Sequence, residues 1–186
     1  MKKIEEFNAG DRISVSLLEN NIHYLVGMID EVSVTECIRW IIYENLNQKD
    51  SKVLTLYINS PGGDLYQAFA LIDMMRNSAH PIRTVGIGHV MSAAFLVFAS
   101  GTRGERYIAQ NTGIMCHQYS DATEGKHHDL KATMKEGENC NQRMLEILKE
   151  ATDLTAAKVR AKLLNASDVY LTAEEAIELN IADQLL

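Results

Sequence analysis

A serine, a histidine and an aspartate, the side chains that cooperate in acyl transfer, occur in this chain where local pattern suits each role. Ser92 lies in GIGHVMSAAFLVFAS (86–100), where an apolar strand gives way, through Gly86 and Gly88, to a short apolar helix. A serine at that junction stands at the positive end of a helix dipole, beside amides with no intrahelical acceptor. Negative charge made on a substrate oxygen would be met by those donors, which suits a nucleophile. The same place also suits an N-cap serine with no further role.

Serine attacks poorly until a base takes its proton, and histidine is the usual base because its unperturbed pKa is about 6.5. His117, near the end of the strand-like GIMCHQY (113–119), can serve; His89, close before Ser92, is the competitor. His23 sits in an early strand, His80 in a polar turn, and His127 and His128 at the start of a long helix, so they serve less well. An acid must hold the imidazole in the right tautomer. Asp168, in NASDVYLTAEEA (165–176), precedes an apolar pair and a helix; Asp129 and Asp153 are alternatives that spacing does not separate.

A second motif is the glycine pair of YINSPGGDLYQAF (57–69), between a hydrophobic run and an amphipathic stretch. Glycine there lets the backbone turn sharply and lets another group approach it. That group could be a phosphate, a carboxylate, an oxyanion or the next strand. The pair lacks the Lys-Ser/Thr of a phosphate loop and the G-x-G-x-x-G of a dinucleotide site, so no nucleotide is expected. Cys116-His117 and His127-His128-Asp129 gather ligand types, but adjacent helical residues diverge, and neither C-x-x-C nor H-E-x-x-H occurs. No metal and no cofactor are expected.

The elements that must position these residues alternate. NIHYLVG (21–27) predicts a strand; SVTECIRWIIYENL (33–46) has a helical apolar stripe, with Ser33 and Glu36 in capping-box spacing. KVLTLYINS (52–60) predicts a buried strand and DLYQAFALIDMMR (64–76) a helix. IRTVGIG (82–88), ERYIA (105–109) and GIMCHQY predict further strands, and 92–99 a small apolar helix. A mostly polar helical segment covers about 126–150; helices near 155–164 and from Thr172 close the chain. Such alternation implies an α/β fold with a largely parallel sheet. The long polar helix either projects from the core or lies on the surface. Gly137 inside it costs about 1 kcal/mol relative to alanine and suggests a kink or weak point.

The 186 residues suit one domain with a proper core. A net charge of -7 argues against a nucleic-acid binder, whose footprint is a basic face. Cys37, Cys116 and Cys140, without C-x-x-C, read as free thiols in a reducing compartment. MKKIEEFNAGD has no apolar region of a secretory signal, and Val90–Ala99 is far short of the ~20 residues that span a bilayer. A soluble, cytoplasmic protein is expected.

Taken in order, YINSPGGDLYQAFALIDMM (57–75), GHVMSAAFLVFASGTRGERYIAQNTGIMCHQ (88–118) and DVYLTAEEAIELNIAD (168–183) resemble the proteolytic subunit of the Clp protease. The resemblance runs from about Leu17 to the C-terminus. It implies the crotonase-like ββα superhelix over residues 17–186, with a protruding handle helix at about 119–152, after a shortened N-terminal segment (1–16) placed as an axial gate. It implies a serine endopeptidase with Ser92 as nucleophile, His117 as base and Asp168 as orienting acid. Backbone amides of Gly63 and Ala93 would form the oxyanion hole, and Gly62, Gly63, Asp64, Leu65, Gln118 and Tyr119 would bind an extended substrate strand. The implied partners are further copies of the chain in two seven-membered rings (a tetradecamer), an AAA+ unfoldase and unfolded polypeptides, with no nucleic acid and no membrane. Tyr57, Val85, Ile87 and Tyr107 match the apolar pocket that receives the unfoldase.

The chain departs from that pattern near the site. His89, Val90 and Met91 replace small residues before the serine, Tyr119 replaces a proline, and Ser120-Asp121-Ala122 replaces glycine-containing sequence. The stretch before Asp168 is about two residues longer than usual. The alternatives are a non-catalytic or specialised processing ring subunit, and an acyl-CoA hydratase or isomerase, which would set acids rather than a Ser/His pair beside a thioester.

Overall fold

A computed structural model describes residues 8–46 and 52–186. The elements in chain order are α1 (Ala9–Glu19), β1 (Ile22–Ile29), α2 (Glu31–Leu46), β2 (Leu54–Gly63), α3 (Leu65–Arg76), β3 (Ile82–Met91) and α4 (Ala93–Ala99). Then follow β4 (Arg106–Ile108), β5 (Gly113–Cys116), α5 (His127–Thr152), α6 (Ala156–Lys162), β6 (Val169–Leu171), α7 (Ala173–Glu178) and β7 (Gln184–Leu185). The alternation gives the expected α/β architecture. One sheet runs β1-β2-β3-β4-β7, all parallel, and a branch from β3 carries β5 and then antiparallel β6.

The branch matters for the site. The first part of β3 pairs with β4 through Thr84–Gly86, and its last part pairs with β5 through His89–Met91. The strand changes partner just before Ser92, so the chain after Met91 emerges beside the end of β5. Behind it, all seven residues of α4 are buried, and the helix packs on β2, β3, α3 and α5. A helix apolar on every side belongs in the interior. The core therefore forms directly beneath the turn at Ser92.

Several local readings are corrected. The helix expected from Ser33 begins at Glu31, because Asp30 and Ser33 cap it reciprocally. The Asp30 carboxylate accepts from the Ser33 amide (2.8 Å), and the Ser33 hydroxyl accepts from the Asp30 amide (3.0 Å). Strand β2 continues through Pro61 and both glycines instead of ending at Ser60. The polar start contains α1, which buries no residue and runs across the expected boundary at 16/17; residues 1–7 of that segment lie outside the described residues. Helix α5 continues through Gly137, the position read from the sequence as a kink or weak point. Its buried residues begin only at Cys140, which leaves its earlier turns largely exposed. The helix expected from Thr172 is α7, closed at its start by a Thr172–Glu175 capping box.

Arg106 ties these layers together. Its side chain, 3% exposed, meets Asp183 through Nε (2.9 Å) and Nη2 (2.6 Å), and Nη1 donates to the carbonyls of Ala99 (3.3 Å) and Ala151 (2.9 Å). One guanidinium thus joins the ends of α4 and α5 to the C-terminal segment. Among the described residues, no helix is long and apolar enough to cross a membrane.

Candidate active site

Ser92 occupies the sharp turn from β3 into α4 with φ 53° and ψ −124°. Positive φ in a non-glycine residue costs on the order of 1–3 kcal/mol and persists where the surroundings over-determine it. Here the Ser92 amide donates to the carbonyl of Met115 (2.9 Å) on one side, and buried α4 follows on the other. The serine hydroxyl makes no helix-capping bond, which removes the N-cap reading. It lies 2.8 Å from His117 Nε2 instead. Such a strained strand-to-helix turn presents a serine oxygen to substrate in hydrolases of other folds.

The competing bases are placed elsewhere. His89 is exposed, with its amide donating to Asn59 Oδ1 (3.0 Å). His80 is buried against the carbonyl of Glu44 (3.3 Å), and His23 stacks on Trp40 (ring centroids 5.2 Å apart). His127 and His128 lie exposed at the start of α5. Cys116, next to His117, does not compete as a nucleophile, because burial pushes its thiol up to about 12. Among the described residues, no three His, Cys, Asp or Glu side chains gather as metal ligands would.

The three acids separate as clearly. Asp153 closes α5 and is held by Arg103 (2.5 Å), whose hydrogen bond lowers the carboxyl pKa. Asp129 is exposed in the first turn of α5 beside His128 (3.3 Å). Asp168 directly precedes β6. The β5–β6 ladder pairs Ile114 with Leu171, Met115 with Tyr170 and Cys116 with Val169, so its next rung would set His117 against Asp168. The carboxylate is exposed, and among the described residues no hydrogen bond joins it to His117. The structure therefore brings Ser92 and His117 together and holds Asp168 opposite them, unjoined.

The glycines have distinct jobs. A Cβ on Gly62 (φ 103°) would stand 2.7 Å from Ser92 Cβ, 2.9 Å from Met91 O and 3.1 Å from Ala93 N. A Cβ on Gly63 (φ 148°) would stand 2.3 Å from Ile29 O. Gly62 is thus buried behind the serine's turn, away from its open face. Gly63 lies at that face.

A cleft of about 320 Å³ opens over Ser92 and His117. Gly63, Asp64, Leu65, Gln118 and Tyr119, named above for a substrate strand, line it together with Ala93, Tyr66, Ser120 and Met144. Asp64 is occupied as the cap of α3, its carboxylate accepting from the amides of Tyr66 (2.8 Å) and Gln67 (3.1 Å). The Tyr66 hydroxyl donates to Glu136 on α5 (2.7 Å), a bond that raises the phenol's pKa; Arg143 lies over the same ring (6.0 Å). No local signal in the sequence sets residue 66 beside residue 136.

A second cleft, about 400 Å³, is lined by Tyr57, Val85 and Tyr107 with Asn20, Ile22, Thr55, Arg83 and Leu186. Arg83 sits over the Tyr107 ring (5.1 Å). Ile87, expected with this group, does not line it. In comparison with known proteins, the family model described as Clp protease matches residues 5–186, and the α/β architecture is that of the family's crotonase-like fold.

Proposed function

The chain belongs to the Clp protease family, and from that premise we propose that it is a serine endopeptidase acting on extended, unfolded polypeptide. The observation that carries this reading is the 2.8 Å approach of His117 Nε2 to Ser92 Oγ in a strained turn at the floor of an open cleft. Ser92 Oγ attacks the scissile carbonyl as its proton passes to His117 Nε2. The oxyanion is met by the amides of Gly63 and Ala93, which border the same cleft. His117 then gives its proton to the leaving amine, and water, activated by the same imidazole, hydrolyses the acyl-enzyme. Asp168 is the orienting acid, reached by closing the next rung of the β5–β6 ladder.

Hydration or isomerisation of an acyl thioester fits less well. The carboxylate at the cleft, Asp64, is committed to two backbone amides of α3.

Assembly into stacked rings of seven, fed by an AAA+ unfoldase, is part of the same proposal. Tyr24, Val26 and Met28 form an outward apolar row on edge strand β1, 44–57% exposed. Exposed apolar rows of that kind mark contact surfaces. The largely exposed earlier turns of α5 support a ring-to-ring handle, and the cleft around Tyr57, Val85 and Tyr107 supports unfoldase docking.

The test is labelling by a fluorophosphonate, read by peptide mass mapping alongside cleavage of a fluorogenic peptide. Modification of Ser92 alone is expected, with Ser92→Ala abolishing both signals in a particle of unchanged native mass. Labelling elsewhere, or none in an assembled particle, removes the serine-hydrolase reading.

A further inference from the structure

His117 stands one residue past the end of β5, so what holds residues 118–120 also sets the imidazole. Two bonds hold that segment. Gln118 Nε2 donates to the carbonyl of Leu164 (2.9 Å), just past α6. The amide of Tyr119 donates to Asn141 Oδ1 on α5 (2.8 Å).

The same face of α5 carries Gly137, one turn before Asn141. A Cβ on Gly137 would stand 3.3 Å from Cδ1 and 3.5 Å from Cε1 of Tyr119. The Tyr119 ring therefore lies against bare helix backbone while the next turn of the helix takes its amide. This accounts for a glycine inside an unbroken helix: the position is a seat for a ring, and a kink is not needed.

Asn141 does not line the cleft. We propose that it is a positioning residue for the general base. It anchors the Tyr119 amide, fixes the chain leaving β5, and so holds His117 Nε2 at bonding distance from Ser92 Oγ. The Gly137 seat is the second half of the same anchor. This rests on the serine-hydrolase reading above. A misplacement of about 1 Å at a reacting pair can cost on the order of 100-fold in rate, so a bond two residues from the base has leverage on turnover.

The experiment uses the full chain in its assembled form. Asn141→Leu keeps the side chain's size and removes the acceptor, whereas Asn141→Asp keeps an acceptor oxygen. Gly137→Ala raises helix propensity, so a failure to fold is not in prospect, yet it crowds the ring. Fluorogenic-peptide kcat and KM and the fluorophosphonate labelling rate at Ser92 are read beside native mass and thermal midpoint. Asn141→Leu is expected to lose about 100-fold in kcat and labelling rate with KM changed far less, and Asn141→Asp to recover most of the loss. Gly137→Ala is expected to lower kcat without lowering the thermal midpoint. Wild-type kcat in assembled Asn141→Leu or Gly137→Ala, a loss confined to KM, or an aspartate variant no better than leucine overturns the proposal. If the unmutated particle is not labelled at Ser92, the hydrolase reading fails first and takes this one with it.

Discussion

Alanine at each of the two adjacent glycines should fail in a different way, and the distances say which. At Gly62 the new Cβ would lie 2.7 Å from Ser92 Cβ and 3.1 Å from Ala93 N. Carbon atoms rest at about 3.5–4.0 Å, so the serine's turn and the glycine strand must part by on the order of an ångström. A displacement of that size at a nucleophile costs about 100-fold in rate, equal to roughly 2.7 kcal/mol of barrier. At Gly63 the collision is with the backbone of Ile29, at 2.3 Å from its oxygen and 2.8 Å from its nitrogen, so it falls on the β1–β2 pairing. Overpacking costs about 1–3 kcal/mol and a strained backbone another 1–3 or so, which lowers stability directly. The assay pairs kcat and the Ser92 labelling rate with a urea denaturation midpoint. Gly62→Ala should lose far more activity than its fall in midpoint accounts for, and Gly63→Ala should show the larger fall in midpoint beside the loss of kcat that moving its oxyanion-hole amide brings. If Gly62→Ala keeps activity within about threefold, or both variants shift both readouts alike, the assignment of Gly62 to the serine's turn and Gly63 to the strand edge is wrong.

Removing one partner of a buried ion pair typically costs about 3–5 kcal/mol, so Arg106→Met should lower urea stability by that amount; a loss under about 1 kcal/mol would show that Asp183 and the two carbonyls find other partners. Burial alone would raise the Asp183 carboxyl pKa, but hydrogen bonds from the Arg106 side chain, then the Arg106 amide, the guanidinium charge and the Gly104 amide outweigh it and leave it lowered. A carboxyl depressed on folding contributes stability that is present above the unfolded value of about 3.9 and lost as pH falls through the folded value. The stability gap between the native chain and Asp183→Asn should therefore narrow below about pH 4, and a gap constant down to pH 2 would contradict this. Asp168→Asn, which keeps shape and removes charge, should lower kcat by on the order of ten-thousandfold with native mass unchanged; an unaltered rate would leave His117 to be oriented without it.

Much of this arrangement was legible because it is local. Asp64 caps α3 where the apolar stripe begins, Thr172 and Glu175 box α7, and the all-apolar run after Ser92 could only be a buried helix. His117 could be placed at a strand end from GIMC alone. What stayed hidden depends on distant pairing. Strands β6 and β7 have three and two residues, too short to carry a period, and form only because β5 and β4 offer an edge. Helix α1 buries nothing, so its apolar residues left no stripe against a core. Tyr66 and Glu136 are 70 positions apart, and their bond exists only because α5 crosses the mouth of the cleft. Gly137 read as a weak point because the ring that fills its place comes from residue 119, on another segment.

The order of strands also explains why Ser92 and His117 meet while Asp168 stands off. Ser92 is fixed by continuous backbone: β3 pairs with β5 up to Met91–Met115, and the serine's own amide bonds to Met115. His117 follows β5 by a single residue, so one ladder sets both members of the pair. Asp168 directly precedes β6, a three-residue strand whose sheet partner is β5, with Tyr170 at its centre 67% exposed. Directly opposed residues of an antiparallel pair have Cα atoms about 4.5–5.5 Å apart, so one added rung would bring the carboxylate within reach of the imidazole without any change in the core. Ser92 and His117 are built into the sheet. Asp168 is set beside a three-residue edge, where, on the proposed mechanism, a contact that adds the 117–168 rung would act on catalysis through a single hydrogen bond.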